Sequence, residues 1–365
     1  MTTVRDVMAV LNRLAPPHLA LGDDPRGLLI GDRDAPVTHL AVALDITPAV
    51  TAAAITDGAQ MMVAHHPLIF HPLKTLHSDT PHPEGVVLDC VRANIAVACA
   101  HTNWDVATGG INDVLATALG LSDIRPLQIT YREALVKIAV FVPVEASERV
   151  LDAMAQAGAG AIGDYDRCAF TTPGTGTFRP LPGATPYIGS VGTPETVTEV
   201  RLEMVAPEGK WRSIVAAMKA AHPYEEVAYD VFSVLNKATE YGIGRIGTLP
   251  SPIPAQDFWL QVKDALDFPE VRFSGPTDKS IQTVAVCGGA GASLMRDALS
   301  AGADALVTSD VRHHEYVDAE SRGFVLLDAG HSATETPGTR ELARLLAEAL
   351  PDITVRFHLA NGTEG

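Results

Sequence analysis

Three short runs in the first third of the chain, HLAVALDI (39–46), QMMVAHH (60–66) and IAVACAH (95–101), are apolar with almost no alternation. A strand with one wet face alternates with a period of two. A strand that does not alternate is buried on both faces, which places it inside a parallel or mixed sheet covered by helices. Helical stretches lie between these runs, among them PAVTAAAITDG and EGVVLDCVRAN. From about residue 241 the style returns in TVAVCGGAG (283–291), ADALVTSD (303–310) and GFVLLDAGH (323–331). A helix, TRELARLLAEAL (339–350), and a last strand, ITVRFH (353–358), follow. The pattern predicts an α/β domain with a mixed sheet flanked by helices. At 365 residues the chain exceeds one ordinary hydrophobic core, so two domains, or one domain carrying an insertion, are expected.

The middle of the chain is written differently. ALVKIAVFVPV (134–144) alternates as a half-exposed strand should, and SERVLDAMAQAG follows as a helix ending in glycine. A Gly/Thr/Pro-rich region (171–194) precedes TEVRLEMVAP, a second helix GKWRSIVAAMKAAH, and EVAYDVFSV. The order β-α-β-β-α-β predicts a ferredoxin-like α+β domain. The expected division is 1–127 with 241–365 as one discontinuous α/β domain, and 128–240 as its insertion.

Composition narrows the function classes. The net charge is −17, from 27 basic and 44 acidic residues, and no Lys/Arg run occurs, so a nucleic-acid partner is not expected. Four scattered cysteines, Cys90, Cys99, Cys168 and Cys287, contain no C-x-x-C pair, which argues against a thiolate zinc site and for reduced thiols in a cytoplasmic protein. The opening MTTVRDVMAVLNRLAPP reads as an amphipathic helix rather than a signal peptide. No apolar run is long enough to span a membrane.

Imidazoles and carboxylates recur where the apolar runs stop. They are His65 and His66 in VAHHP, His101 and Asp105 in HTNWD, Asp310, His313 and His314 in SDVRHHEY, and His331 and Glu335 in DAGHSATE. Strand ends converge on one edge of a sheet, so residues distant in sequence can meet there. His331 and Glu335 are four apart and share a face if GHSATE opens a helix. Imidazole and carboxylate without thiolate suit Zn²⁺, Mn²⁺ or Fe²⁺. More ligands are present than one catalytic zinc needs, which points to two divalent ions. Each spot alone also has a plainer reading. The His-His pair can be a surface turn, HTNWD and HSATE can be helix caps, and the pair in DVRHHEY can be solvated. CGGAGAS (287–293) does not fit G-x-G-x-x-G; it reads as a tight strand-to-helix turn, with anion binding as the alternative. HPYEEVAYDV (222–231) reads as a turn specific to its fold.

VAHHPLIF, HTNWD, TSDVRHHEY and DAGHSATE, in this order, resemble the dinuclear-metal-centre proteins known as GTP cyclohydrolase I type 2 homologues, or NIF-three-like proteins. LDITPAV (44–50), VCGGAG (286–291) and DPRGLLIG (24–31) add to the likeness, the last with Pro25 where the usual pattern has Asn. HPYEEVAYDV resembles the closing segment of the PII-like or CutA-like domain inserted in longer members. The resemblance implies a toroidal homohexamer with its metal sites facing an inner cavity. It implies His65, His66, Asp105, His331 and Glu335 as metal ligands, with Glu335 bridging, and His101, His313 and His314 near the site as candidates for catalysis or substrate contact. It also implies hydrolytic opening of the GTP imidazole ring. The residues themselves support metal-dependent hydrolysis of an unspecified nucleotide or small heterocyclic or phosphorylated substrate. The alternatives are a non-catalytic metal-dependent binding or regulatory protein, and a metal-stabilised oligomeric scaffold.

Overall fold

The computed structural model describes residues 1–77, 79–236 and 239–364. The chain divides into two compact units: Met1–Tyr131 with Tyr241–Gly365, and Arg132–Glu240. The division falls a few residues after position 128, because the strand Ser122–Glu133 runs on unbroken from the sheet it starts in.

In the first unit the apolar runs form two sheets, not one. The first has the order Gly27–Ile30, Ala96–Cys99, Met61–Ala64, His39–Ala43, Thr354–His358. All its pairs are parallel except the antiparallel edge strand Gly27–Ile30. Every residue of Met61–Ala64 and Ala96–Cys99 is buried, as their lack of alternation requires. The second sheet has the order Arg272–Ser274, Val325–Asp328, Ala305–Thr308, Ser280–Val286, Thr239–Pro254, Ser122–Glu133. Its three central strands Ser280–Val286, Ala305–Thr308 and Val325–Asp328 are parallel, with antiparallel neighbours on both sides.

Helices cover the sheets for local reasons. Val4–Leu14 starts at Thr3, whose hydroxyl accepts from the Asp6 N–H while Asp6 reaches back to the Thr3 N–H. Its buried face is Val4, Val7, Met8, Val10 and Leu11. A reciprocal cap of this kind contributes about 1 kcal/mol. Pro48–Thr56 starts with Thr47 as its cap and Pro48 in its first turn, where the missing N–H costs nothing. No described helix is long and apolar enough to cross a membrane.

The second unit is one antiparallel sheet of order Phe170–Phe178, Glu195–Pro207, Leu135–Pro143, Tyr229–Ser233. Helices Ser147–Gln156 and Trp211–Ala221 pack their Val150, Met154, Ile214 and Met218 onto Ile138, Val140, Leu202 and Met204 of the sheet. The Gly/Thr/Pro-rich region supplies the second strand that the β-α-β-β-α-β order requires, although its composition does not mark where it lies. FTTPGTGTF is an exposed edge strand, paired on one side only to Glu195–Pro207, and Pro173 is tolerated there because an edge strand leaves part of its backbone outside the ladder, where a missing N–H costs little.

Candidate metal centre

Parallel strands of both sheets deliver the site. Beyond Met61–Ala64 the backbone keeps its neighbour: the His65 N–H donates to Ala43 O (3.2 Å) and the His66 N–H to Leu44 O (3.0 Å). Both imidazoles therefore leave a backbone that is still held. His65 is 0 % exposed, and His66 is half-buried. Ala96–Cys99 leads to His101 and then the one-turn helix Thr102–Val106, which carries Asp105. From the second sheet, Val325–Asp328 leads to Gly330 and the helix His331–Ala349. Gly330 caps that helix at φ +76°, with the Phe268 ring 2.8 Å from where a Cβ would stand. His331 and Glu335 are thus one turn apart on one face, with His331 Nε2 3.1 Å from Glu335 Oε2. The sequence placed the ligands on one sheet edge; they come from two, and His66 Nε2 faces His331 Nε2 across 3.3 Å.

Four imidazoles share one device. The Nδ1 of His65 bonds to Ala100 O (2.9 Å), that of His66 to Asp45 (2.7 Å), that of His101 to Asp24 (2.8 Å) and that of His331 to Asp310 (2.6 Å). With Nδ1–H donated to an oxygen the ring cannot swing, and in the neutral imidazole Nε2 is the lone-pair nitrogen that can meet an ion. Metal-ligating histidines are held this way. Asp24 is itself fixed by the Thr102 hydroxyl (2.6 Å) and N–H (3.1 Å).

The donor atoms form three groups within reach of an ion: His65, Asp105 and Glu335; His66, His331 and Glu335; and His65, His66 and His101. Glu335, 3 % exposed, is common to the first two and divides its oxygens between them. Oε1 lies 3.7 Å from His65 Nε2, which is 3.6 Å from Asp105 Oδ1, while Oε2 lies 3.0 Å from His66 Nε2. His65 Nε2, Asp105 Oδ1 and Glu335 Oε2 are buried without a hydrogen-bond partner. Leaving such atoms orphaned costs about 1–3 kcal/mol each; His65 Nε2 and Asp105 Oδ1 face each other across 3.6 Å, and Glu335 Oε2 faces His66 and His331, so each side of Glu335 has a place for a cation. The spacings of 3.0, 3.1 and 3.3 Å among Glu335 Oε2, His66 Nε2 and His331 Nε2 suit ligands ~2.0–2.2 Å from a common ion.

The charges agree. Burial disfavours protonation of His66, yet the Asp45 and Glu335 carboxylates outweigh it and lift its pKa to about 10. Glu335, helped by Asp310 against burial, lifts His331 to about 9. Burial pushes Asp105 up to about 6, with His65 opposing. Burial would raise the Glu335 carboxyl too, but His331, His65 and His66 hold it well below the usual range. Protons thus stand in places where a divalent cation would satisfy the same carboxylates.

Glycines and small polar side chains lock the frame. Gly289, at φ +63°, leaves room for Glu335, because a Cβ there would stand 2.3 Å from Oε1. The N–H groups of the glycine turn after Val286 are taken by protein: Gly288 by Asn112, Gly289 by Thr334 and Gly291 by Thr308. That arrangement matches the turn reading of CGGAGAS and leaves these donors engaged rather than facing an anion. Asn112 also donates to Asp105 O (2.9 Å). Arg245, 3 % exposed, pairs with Asp113 and donates to Val106 O and Ala107 O at the end of the Asp105 helix.

Neither HTNWD nor HSATE is a cap: Asn103 donates to Ala15 O, Asp105 faces His65, and Gly330 begins the later helix without a side-chain cap. His313 and His314 open the helix His313–Ser321, are exposed and join none of the three groups. The ring-holding roles of Asp45 and Asp24 were not read from the sequence. Their available signal was weak: Asp45 ends an apolar run as the histidines do, whereas Asp24 sits in an irregular loop. A cavity of about 440 Å³ adjoins the group at Asp310 and Gly330 and is lined further by Phe268, Arg272 and Asp328.

The model of the family described as Duf34/NIF3 (NGG1p interacting factor 3) matches residues 2–364. A protein of Halalkalibacterium halodurans named GTP cyclohydrolase 1 type 2 homolog is 40% identical over 352 residues, 96% of this chain and 94% of its own. A protein of the same name from Bacillus subtilis is 43% identical over 330 residues, 90% of this chain and 88% of its own. Among solved structures, a Bacillus cereus protein related to NIF3 superposes with a TM-score of 0.90 at 40% identity, covering 98% of this chain and 96% of that one.

Proposed function

Because the chain belongs to the Duf34/NIF3 family, we propose that it is a dinuclear divalent-metal protein and a metal-dependent hydrolase of a nucleotide or another small phosphorylated or N-heterocyclic substrate. The observation that carries two ions rather than one is the division of Glu335, whose two oxygens serve two different donor groups. His65 and Asp105 would hold one ion and His66 and His331 the other, with Glu335 shared. Five carboxylates, Asp24, Asp45, Asp105, Asp310 and Glu335, balance the charge of two divalent cations to within one unit. Zn²⁺, Mn²⁺ and Fe²⁺ suit this donor set.

Divalent ions held by His65, Asp105, His66, His331 and Glu335 would supply Lewis acidity for metal-assisted hydrolysis. The chain's own residues do the rest. Asp45, Asp310 and the Ala100 carbonyl orient the ligand rings. His101, held through Nδ1 by Asp24, keeps Nε2 to accept or return a proton. Arg272 shares the adjoining cavity with Glu270, Asp310 and Asp328, so the lining itself is net negative and recognition of an anionic substrate group would fall to the metal ions. GTP is the first substrate to test, on the strength of the relatives' name.

The same proposal reads Arg132–Glu240 as an inserted ferredoxin-like plait of the PII or CutA kind, on its β-α-β-β-α-β order and its sheet order. It also includes a cytoplasmic homohexamer, as the family resemblance implies, to be checked by light scattering. The deciding experiment is elemental analysis of the parent and Glu335→Ala, followed by GTP turnover with the identified metal. Near two metal equivalents in the parent, a loss in the variant and metal-dependent turnover are expected. Full loading without turnover of GTP or other nucleotides would refute the hydrolase and favour a binding protein.

A further inference from the structure

The second unit contains a cavity of about 510 Å³, within the range of sites that take small organic ligands. It lies between the loop that follows Phe170–Phe178 and the HPYEE turn, which the metal chemistry does not use. The Thr185 N–H donates to Glu225 (2.8 Å) and ties the loop to the turn, and the Gly192 N–H closes the loop on Pro180 O (2.8 Å). Its walls are aromatic: Phe141, Phe178, Tyr187 and Tyr224, with the Tyr224 ring 6.0 Å from Phe178 and 6.1 Å from Tyr187.

The turn motif builds this wall. His222 Nε2 meets Phe141 O at 3.1 Å, and its Nδ1 accepts from the Tyr224 N–H at 3.1 Å. One neutral imidazole thereby fixes two of the lining residues. Glu199 also lines the cavity, is 8 % exposed, and accepts from the Tyr224 hydroxyl (3.0 Å). A buried carboxylate whose bonded partner is a neutral hydroxyl has electrostatic capacity to spare for a cation. Glu225 and Glu226 add negative charge to the lining, against the single guanidinium of Arg179. Aromatic faces with carboxylates behind them suit planar cations and repel anions.

We propose that this cavity binds a flat, nitrogen-rich cation, a protonated amino-heterocycle whose paired N–H groups meet Glu199 while its ring lies among the four aromatic side chains. A carboxylate matches two parallel N–H donors in the fork geometry familiar from guanidinium pairs. Phosphate-bearing nucleotides do not fit this charge pattern, so the cavity is not a second copy of the proposed hydrolase site. Gly176 keeps the floor open, since a Cβ there would stand 2.1 Å from Glu199 Oε2.

The test is calorimetric titration of the metal-loaded full chain with 2-aminobenzimidazole, at a pH where that probe is cationic, and with 2-naphthoate, an anionic bicycle of similar size. Saturable binding of the cation, none of the anion, and at least tenfold weakening by Glu199→Gln and by Phe178→Ala are expected. Binding of 2-naphthoate equal to or tighter than that of the cation would overturn the proposal in the parent protein, whatever the variants do. So would absence of cation binding, or cation binding unchanged by Glu199→Gln. None of these outcomes bears on the metal site, which uses other residues.

Discussion

Gly289→Ala separates the geometry of the metal centre from ordinary backbone strain. At φ +63° any L side chain is strained by roughly 1–2 kcal/mol. The added methyl would also stand 2.3 Å from Glu335 Oε1, where ordinary contact begins at 3.4 Å, so the carboxylate must retreat by about 1 Å. Metal ligands tolerate displacements of only ~0.2 Å, and disturbing what positions a ligand costs about 10–100-fold in affinity, or ~1.4–2.7 kcal/mol. Gly58→Ala is the control: its φ is +69° and nothing lies within 4 Å of the new methyl. Urea unfolding of the metal-free proteins above pH 10, where the His66 and His331 charges that face Glu335 are gone, should show both variants losing similar stability. Competition with a chromogenic chelator should show Gly289→Ala losing metal affinity by the stated factor, and Gly58→Ala none. A Gly289→Ala protein that loads metal as tightly as the parent would refute the reasoning. Equal metal loss in both variants would refute it as well, since strain alone would then suffice.

Other consequences follow from the same geometry. With His66 near 10 and His331 near 9, both rings hold protons at pH 7.5 in the metal-free protein, so loading should release about two protons. Calorimetry in buffers of different ionisation enthalpy measures that number, and a value near zero would contradict the assignment. Both pKa values are raised above the unfolded value near 6.5. Their contribution to metal-free stability is therefore complete below about pH 6.5 and lost as the pH rises through 9 to 10. Urea midpoints across that window should fall. Asp310→Asn should weaken metal binding about 10–100-fold while leaving the unfolding midpoint of the metal-free protein little changed at pH 10, because Asp310 orients His331 rather than packing the core. Arg245→Ala should lower stability by roughly 2–3 kcal/mol in chemical unfolding, chiefly because it leaves the carbonyls that end the Asp105 helix unpaired, while the partly exposed Asp113 keeps the Gly109 N–H.

Much of this was legible in the chain because it is local. Apolar runs such as MMVA and AVAC lack alternation, and burial on both faces follows from that alone. Thr3 with Asp6, and Thr47 with Pro48, announce their helices because caps act within one turn. The four-residue spacing of His331 and Glu335 carries its own geometry once the helix begins at Gly330. The β-α-β-β-α-β order required a strand where FTTPGTGTF lies but did not mark its place, because an edge strand is selected by backbone pairing, which leaves no apolar signature.

Tertiary structure alone decided which oxygens hold the rings. Asp45, Asp24 and Asp310 lie 21, 77 and 21 residues from the histidines they orient; Asp310 and Asp45 stand out locally only as acids at the end of an apolar run, Asp24 not even as that, and none of the three announces which ring it holds. It also decided that the ligands come from two sheets, and that exposed His313 and His314 stand outside groups that the sequence treated as one constellation. Periodicity and capping are short-range properties written along the chain. The meeting of His66 with His331, 265 residues apart, depends on how two separate sheets pack, and long-range packing leaves no mark within either segment.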